Sequence, residues 1–253
     1  MATRDALSCG YTDVNNAVNG GGPFPAGPAP AGTIIRIPAG SQPWTSTLEI
    51  THGITLQGKT TVDATAGSAV DNTVFVNNIA GGRRTLHAVI PLGERLQITG
   101  ITFDDITTGV NNNGMIGLGG QSDQVIIDNC HWKPACRSHL LQIEQGVYGV
   151  AHHNYFEFGN AQVAEIYNGN HAAPNSLNWG DVVWTKTAEW GTDQFFFFEN
   201  NYMINRGPGV GGRAFIDGLY GGKLCFRYNH CYKSDIRNHG TENGRPRAMR
   251  ANE

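Results

Sequence analysis

The chain is short of charge: Lys, Arg, Asp and Glu make up 15% of its 253 residues. The formal net charge is −3, so nothing advertises a nucleic acid or an anionic membrane as partner, and the late cluster Arg245, Arg247 and Arg250 is too local to change that. No stretch approaches the roughly 20 apolar residues of a membrane span, and no charged-then-apolar leader is present. Met1-Ala-Thr3 reads as an initiator ahead of a mature secreted chain, so the expected location is outside the cell or on its surface. Cysteine is scarce, with five residues and no CxxC, which excludes a zinc-ribbon or thioredoxin-type motif. Cys130/Cys136 and Cys225/Cys231 share one spacing, but strand alternation turns Cys225 outward and Cys231 inward. Cys231 is therefore expected to be a buried apolar thiol.

What is abundant is glycine, 34 residues, together with many asparagines. That composition fits many short strands joined by tight turns in an all-β protein, not a helical bundle. Five segments repeat one phrase. They are Leu96-Gln-Ile-Thr-Gly-Ile-Thr-Phe103, Val125-Ile-Ile-Asp-Asn-Cys-His-Trp132, Gly149-Val-Ala-His-His-Asn-Tyr-Phe156, Phe196-Phe-Phe-Glu-Asn-Asn-Tyr-Met203 and Leu224-Cys-Phe-Arg-Tyr-Asn-His-Cys231. Aligned on the last residue, they give one apolar column (Phe103, Trp132, Phe156, Met203, Cys231) and a second five positions earlier (Ile98, Ile127, Ala151, Phe198, Phe226). Asn154, Asn201 and Asn229 fall at one point between the columns, where inward amides would bond their neighbours in a ladder. Such a repeat marks a chain that stacks on itself. Successive copies lie roughly 24 to 29 residues apart, except for a gap of about 47 between Phe156 and Met203. We read that gap as one turn with an insertion at about 170–192, which lacks alternation and holds Trp179, Trp184 and Trp190.

Ahead of the repeat, Tyr11, Val14, Ala17 and Val18 have helical spacing and predict a short helix covering the open end of the stack. Residues 20–32 form a Gly/Pro/Ala loop, and short alternating strands follow over 33–40, 46–50, 54–58, 73–76 and 86–90. The expectation is a single domain over 1–253, with cap and loop at 1–32 and stacked turns at 33–253.

The run Tyr11-Thr-Asp-Val-Asn-Asn-Ala-Val18, followed by Gly32-Thr-Ile-Ile-Arg-Ile-Pro-Ala-Gly40 and Ile54-Thr-Leu-Gln-Gly58, resembles the cap and first turns of the pectate-lyase-like (pectin lyase-like) superfamily. The resemblance implies a right-handed parallel β-helix, a single-stranded solenoid, and leaves activity open among lyases, hydrolases, adhesins and tailspikes. The block Val125-Ile-Ile-Asp-Asn-Cys130, Ser138-His-Leu-Leu-Gln-Ile143 and Gly149 to Phe156 is similar to the central turns of polysaccharide lyases, where carboxylates bind calcium. Calcium is thus the cofactor the resemblance implies, although here that stretch offers Ser138, His139 and Gln142 with only Glu144 acidic nearby. It also implies an arginine base, for which Arg247 in Gly244-Arg-Pro-Arg-Ala-Met-Arg250 is the lead.

The residues themselves offer several sites. The outward column Thr99, Asp128, His152, Glu199, Arg227 reads as a charge ladder, with an acid/base line involving His152, Glu199 and Arg227 as the functional alternative. The next outward column, Thr102, His131, Tyr155, Tyr202, His230, offers faces on which sugar rings could stack. Glu144, Glu165 and Asp217 could line a second face with paired carboxylates. The three insertion tryptophans, with Arg213 and His239, complete the candidate substrate-binding set. Two functions remain open. One is a secreted carbohydrate-active protein, lyase-like on an acidic glycan, with glycoside hydrolysis also in view. The other is a non-catalytic adhesin, surface or filament subunit, self-associating end to end because Ala251-Asn-Glu253 falls inside what reads as a further strand.

Overall fold

The computed structural model describes residues 2–81, 84–107, 115–136, 138–144, 146–159, 161–167, 194–207, 215–218, 222–233 and 237–238. Their strands build three parallel sheets, one of eight strands and two of seven, and one separate antiparallel hairpin. The first sheet runs Thr3–Asp5, Ile34–Arg36, Thr55–Gln57, Arg95–Thr99, Gln124–Asp128, Gly149–His152, Phe196–Glu199 and Leu224–Arg227. The second holds Gly40–Trp44, Thr73–Asn77, Thr102–Asp105, His131–Trp132, Tyr155–Phe158, Tyr202–Asn205 and His230–Tyr232. The third holds Leu48–Ile50, Leu86–Ile90, Ile116–Gly120, Ser138–Ile143, Ala161–Ile166, Ile216–Gly218 and Arg237–Asn238. From Ile34 onward the chain visits first, second and third sheet in turn, seven times, and each strand pairs with its equivalents in the turns before and after.

The register is the one the repeat predicts. Phe103 pairs with Trp132, Trp132 with Phe156, Phe156 with Met203 and Met203 with Cys231. Ala151 pairs with Phe198 directly, so the long gap is one turn with an insertion between Ala161–Ile166 and Phe196–Glu199. A parallel sheet with one residue type in register lines up identical surfaces, and these stack. Trp44 on Phe75 (4.1 Å), Phe103 on Trp132 (5.1 Å) and Trp132 on Phe156 (4.4 Å) form an aromatic column at zero exposure. Each such pair adds roughly 0.5 to 1.5 kcal/mol beyond the area it buries.

At the corner between first and second sheets the chain must reverse direction within one residue. Gly100, Asn129, His153, Asn200 and Tyr228 do this with φ between +52° and +67°. That left-handed conformation costs little for Gly or Asn and more for His or Tyr. The next residue points inward, and there the asparagines form their ladder. Asn154 Nδ2 donates to Ile127 O and to Asn201 Oδ1, and Asn201 Nδ2 donates to Ala151 O and to Asn229 Oδ1. The main-chain N–H groups of Asn154 and Asn201 donate to the Oδ1 atoms of Asn201 and Asn229.

The helix Tyr11–Asn19 lies against one early strand of each sheet, Ile34–Arg36, Gly40–Trp44 and Leu48–Ile50. Val14, Ala17 and Val18 are buried, and Tyr11 meets Trp44 edge-on at 5.6 Å. Among the described residues no helix is long and apolar enough to cross a membrane.

Two expectations need correction. Cys231 is exposed: among the described residues its strand is the last of the second sheet, with no paired strand on its far side. The segment between residues 58 and 73, which carried no assignment, forms the hairpin Thr61–Asp63/Ser68–Val70. Its turn is closed by Asp63 Oδ1, which accepts from the N–H of Thr65 and Ala66, and by Gly67 at φ +64°.

Candidate functional site

Each sheet presents its outward residues as rows running along the stack, about 4.8 Å per step. On the first sheet, Thr99, Asp128, His152, Glu199 and Arg227 are in register as expected. The row is closed on itself. Asp128 accepts from Gln97 Nε2 (2.8 Å), Thr99 Oγ1 (2.9 Å) and Asn129 Nδ2 (2.7 Å). Arg227 holds Glu199 at 2.6 Å and lies over the Phe197 ring at 5.4 Å. His152 Nδ1 sits 2.8 Å from His153 Nδ1, so one imidazole donates to the other. Burial, with the neighbouring His153, holds His152 below its ordinary value against the pull of Asp128 and Glu199. With every carboxylate on this row already bonded to the protein, it is built as a surface ladder.

The second sheet carries Thr102, His131, Tyr155, Tyr202 and His230 in one row. His131 and Tyr155 stack face to face at 4.8 Å, Tyr155 meets Tyr202 edge-on at 5.5 Å, and Tyr202 stacks on Tyr232 at 5.1 Å. Charge that the sequence did not single out gathers round it. His131 lies between Asp71 (Nδ1, 2.8 Å) and Glu157 (Nε2, 3.0 Å), and Arg206 donates to Glu157 (2.8 Å) and to the Tyr155 hydroxyl (3.0 Å). Asp71 and Glu157 belong to different turns, which is why no linear spacing joins them.

The third sheet holds a group of half-buried ionisable side chains. Its outward row runs Glu49, His87, Gly117, Gln142, Glu165, Asp217. Gly117 leaves a gap in that row, and the Arg84 guanidinium fills it; a Cβ at Gly117 would lie 2.4 Å from Arg84 Nη1. From there Arg84 reaches Gln142 Oε1 and Glu144 Oε1, both at 2.6 Å. Gln142 Nε2 donates to the Tyr167 hydroxyl (2.8 Å), the Tyr167 hydroxyl donates to Glu165, and His139 Nδ1 lies 3.0 Å from the same carboxylate. Burial first, and the Glu165 carboxylate second, push the Tyr167 phenol far up, so it stays protonated and donates. Gln162 donates to the buried Asp217 at 3.1 Å.

Across family models, characterised proteins and solved structures, the chain matches none.

The structure thus places His152, Glu199 and Arg227 on one face, Tyr155 and Tyr202 on a second, and Glu144 on a third. Trp179, Trp184, Trp190, Arg213, His239 and Arg247 lie outside the described residues. The calcium that the resemblance implies would need six to eight oxygen ligands. Glu144 and Glu165, the carboxylates nearest the matching stretch, are instead taken up by Arg84, Tyr167 and His139. Among the described residues no group of three His, Cys, Asp or Glu side chains is arranged to hold a metal. Sequence reading missed Arg84 and Tyr167, and met His139 only as part of the stretch that matches the calcium-binding turns. The one available signal was Gly117-Leu-Gly119, two glycines outward on a strand, where a missing side chain makes room for another residue's.

Proposed function

We propose that the chain is a right-handed parallel β-helix that binds and cleaves a polysaccharide on the outer face of its third sheet, outside or on the surface of the cell. The hand follows from the near-universal right-handedness of parallel crossovers. One observation carries the functional reading: Glu165, on the strand Ala161–Ile166, and Glu144, one residue past the end of the adjacent strand Ser138–Ile143, are braced by Arg84, His139 and Tyr167, each partly open to solvent. Glu144, paired with Arg84, is the candidate base, and Glu165, held by Tyr167 and His139, is the second carboxyl group of the pair. By register the two glutamates are diagonal neighbours, roughly 7 to 8 Å apart at the backbone. A pair of carboxyl groups on one face is the equipment that glycoside hydrolysis uses. Hydrolysis therefore fits better than β-elimination, since the arginine beside these carboxylates, Arg84, is already paired with Glu144.

Wild-type protein and Glu165→Gln would be incubated with neutral and acidic polysaccharides, reading new reducing ends and the absorbance of unsaturated uronates side by side. New reducing ends without that absorbance, lost in Glu165→Gln while the fold is kept, is the expected result. Equal turnover by the variant would overturn the site, and unsaturated products would replace hydrolysis by elimination.

A second reading rests on the last described turn. Leu224, Cys225 and Phe226 are only half-buried, whereas their register partners Phe196 and Phe198 are sealed, and Tyr228 and Tyr232 are exposed. That apolar edge suits end-to-end association in a non-catalytic assembly subunit. Sedimentation showing concentration-dependent oligomers, with no turnover on any glycan, would favour it.

A further inference from the structure

The hairpin Thr61–Asp63/Ser68–Val70 is not part of the three-sheet framework, yet it is fastened to the second sheet at both ends. At its tip, Gly67 lies against the Tyr202 ring: a Cβ there would come within 2.6 Å of three ring atoms. At its base, Asp71 accepts from Thr102 Oγ1 (2.8 Å) and from His131 Nδ1 (2.8 Å). Between tip and base the hairpin spans the turns that carry Thr102, His131, Tyr155 and Tyr202. It therefore lies along the aromatic row. The contact at the tip is the backbone methylene of a glycine on a π-face, the same contact that the C–H face of a sugar ring makes with tyrosine.

We propose that this hairpin is a strap over a sugar-stacking surface, Tyr202 with its neighbours Tyr155 and Tyr232, and that loss of the proton shared at its base releases it. The proposal rests on the glycan reading above but on a different face of the molecule.

The base is a pin of three groups. Histidine can donate to two carboxylates only as the imidazolium; neutral, it has one N–H and turns a lone pair toward the other carboxylate. The surroundings favour the charged form. Burial opposes it, but the hydrogen bonds to Glu157 and Asp71 outweigh burial and raise His131 above its ordinary value. Other charges face the pin. Lys133 Nζ lies 3.6 Å from Asp71 and 3.4 Å from Asp104, and Arg206 holds Glu157 from the following turn. Arg206 and Tyr155 remain with Glu157 when the hairpin leaves, so Glu157 stays paired; Asp71 leaves with the hairpin and loses His131. Burial pushes both carboxylates up, but the bond from His131 leads the opposing effects. The net is to hold Asp71 below its ordinary value and Glu157 down at about 2. The signs then follow. The contribution of the carboxylates is complete above their ordinary range and fails as pH falls through their lowered values. That of His131 is complete below pH 6.5 and fails as pH rises through its raised value. The strap is closed in mildly acidic solution and opens on the alkaline side.

Hydrogen–deuterium exchange at residues 61–70, corrected for the intrinsic pH dependence, tests the release without any ligand. Between pH 6 and pH 9 the hairpin should exchange about tenfold faster, the factor carried by one charge-assisted hydrogen bond. The strands Tyr155–Phe158 and Thr102–Asp105 should not change. Asp71→Asn should show the fast rate already at pH 6; because the wild-type pH series stands without any variant, a folding defect in Asp71→Asn leaves the test intact. A hairpin that keeps the same corrected rate at both pH values overturns the strap. A glycan array probed at pH 6 and pH 9 tests the surface: stronger binding at pH 9, reduced in Tyr202→Ala, is expected. An array that binds neither form overturns the sugar assignment, whatever the Glu165→Gln assay shows.

Discussion

Replacing Asn201 by alanine tests whether the inward amides hold the turns together or merely fill space. Asn201 Oδ1 accepts from Asn154 N and Asn154 Nδ2, both at 3.0 Å, and its Nδ2 donates to Ala151 O and Asn229 Oδ1, both at 2.9 Å. Two of the four partners have another bond to fall back on: Asn154 Nδ2 keeps Ile127 O, and Asn229 Oδ1 keeps the Asn201 N–H. The Asn154 N–H loses its partner, and Ala151 O loses the amide, at a corner with no exposure to water. An unmet buried polar group costs about 1 to 3 kcal/mol, so the pair predicts a loss of about 2 to 6 kcal/mol. Against a typical total of about 5 to 15 kcal/mol, that moves a urea midpoint far outside error. Asn229→Ala is the control. Its Nδ2 bonds main chain at Phe198 O and Arg227 O and its Oδ1 accepts from the Asn201 N–H, but the site is half-open, so water can take the place of each bond. It should cost about 1 kcal/mol, in line with an ordinary net hydrogen bond. Urea unfolding followed by circular dichroism, with unchanged slope, gives both numbers. Equal costs for the two variants, or less than about 1 kcal/mol for Asn201→Ala, would refute the reasoning.

Two further outcomes follow from the geometry of the faces. Gly117→Ala places a methyl group within 2.4 to 2.6 Å of the Arg84 guanidinium, so Arg84 must leave its seat and release Glu144. We expect turnover to fall with a stability change of only about 1 kcal/mol, read by the reducing-end assay and a thermal melt; unchanged turnover would separate Arg84 from the chemistry. In an NMR titration the imidazole of His152 should titrate below 6.5 and that of His131 above it. The reverse order would remove the pin from the strap.

Much of the fold was legible because a parallel stack repeats its register. Phe103, Trp132, Phe156 and Met203 align in the sequence by counting, and the sheet pairs them in the same order. The asparagine ladder and the single-turn reading of the long gap follow from that one alignment. The hairpin escaped because its strands have three residues each, too few for alternation to stand out, although Asp63 and Gly67 were present as turn residues. Cys231 was misplaced because alternation says which way a side chain points, and not whether a further strand lies beyond it.

The sites were less legible than the fold. Sequence supplied the rows, since outward residues recur at the period of the turn, and it supplied Glu144, Glu165, Tyr155 and Tyr202 as members of them. What it could not supply was partners from different turns. Arg84 with Glu144, Asp71 with Glu157 across His131, and Gly67 on Tyr202 join residues remote along the chain, with at least one member of each contact outside the repeat. A periodic pattern determines every contact that shares its period. Side chains that reach across it from a strand end, a loop or a hairpin are placed only by the packed structure, because their neighbours are set by direction and reach in space and not by count along the chain.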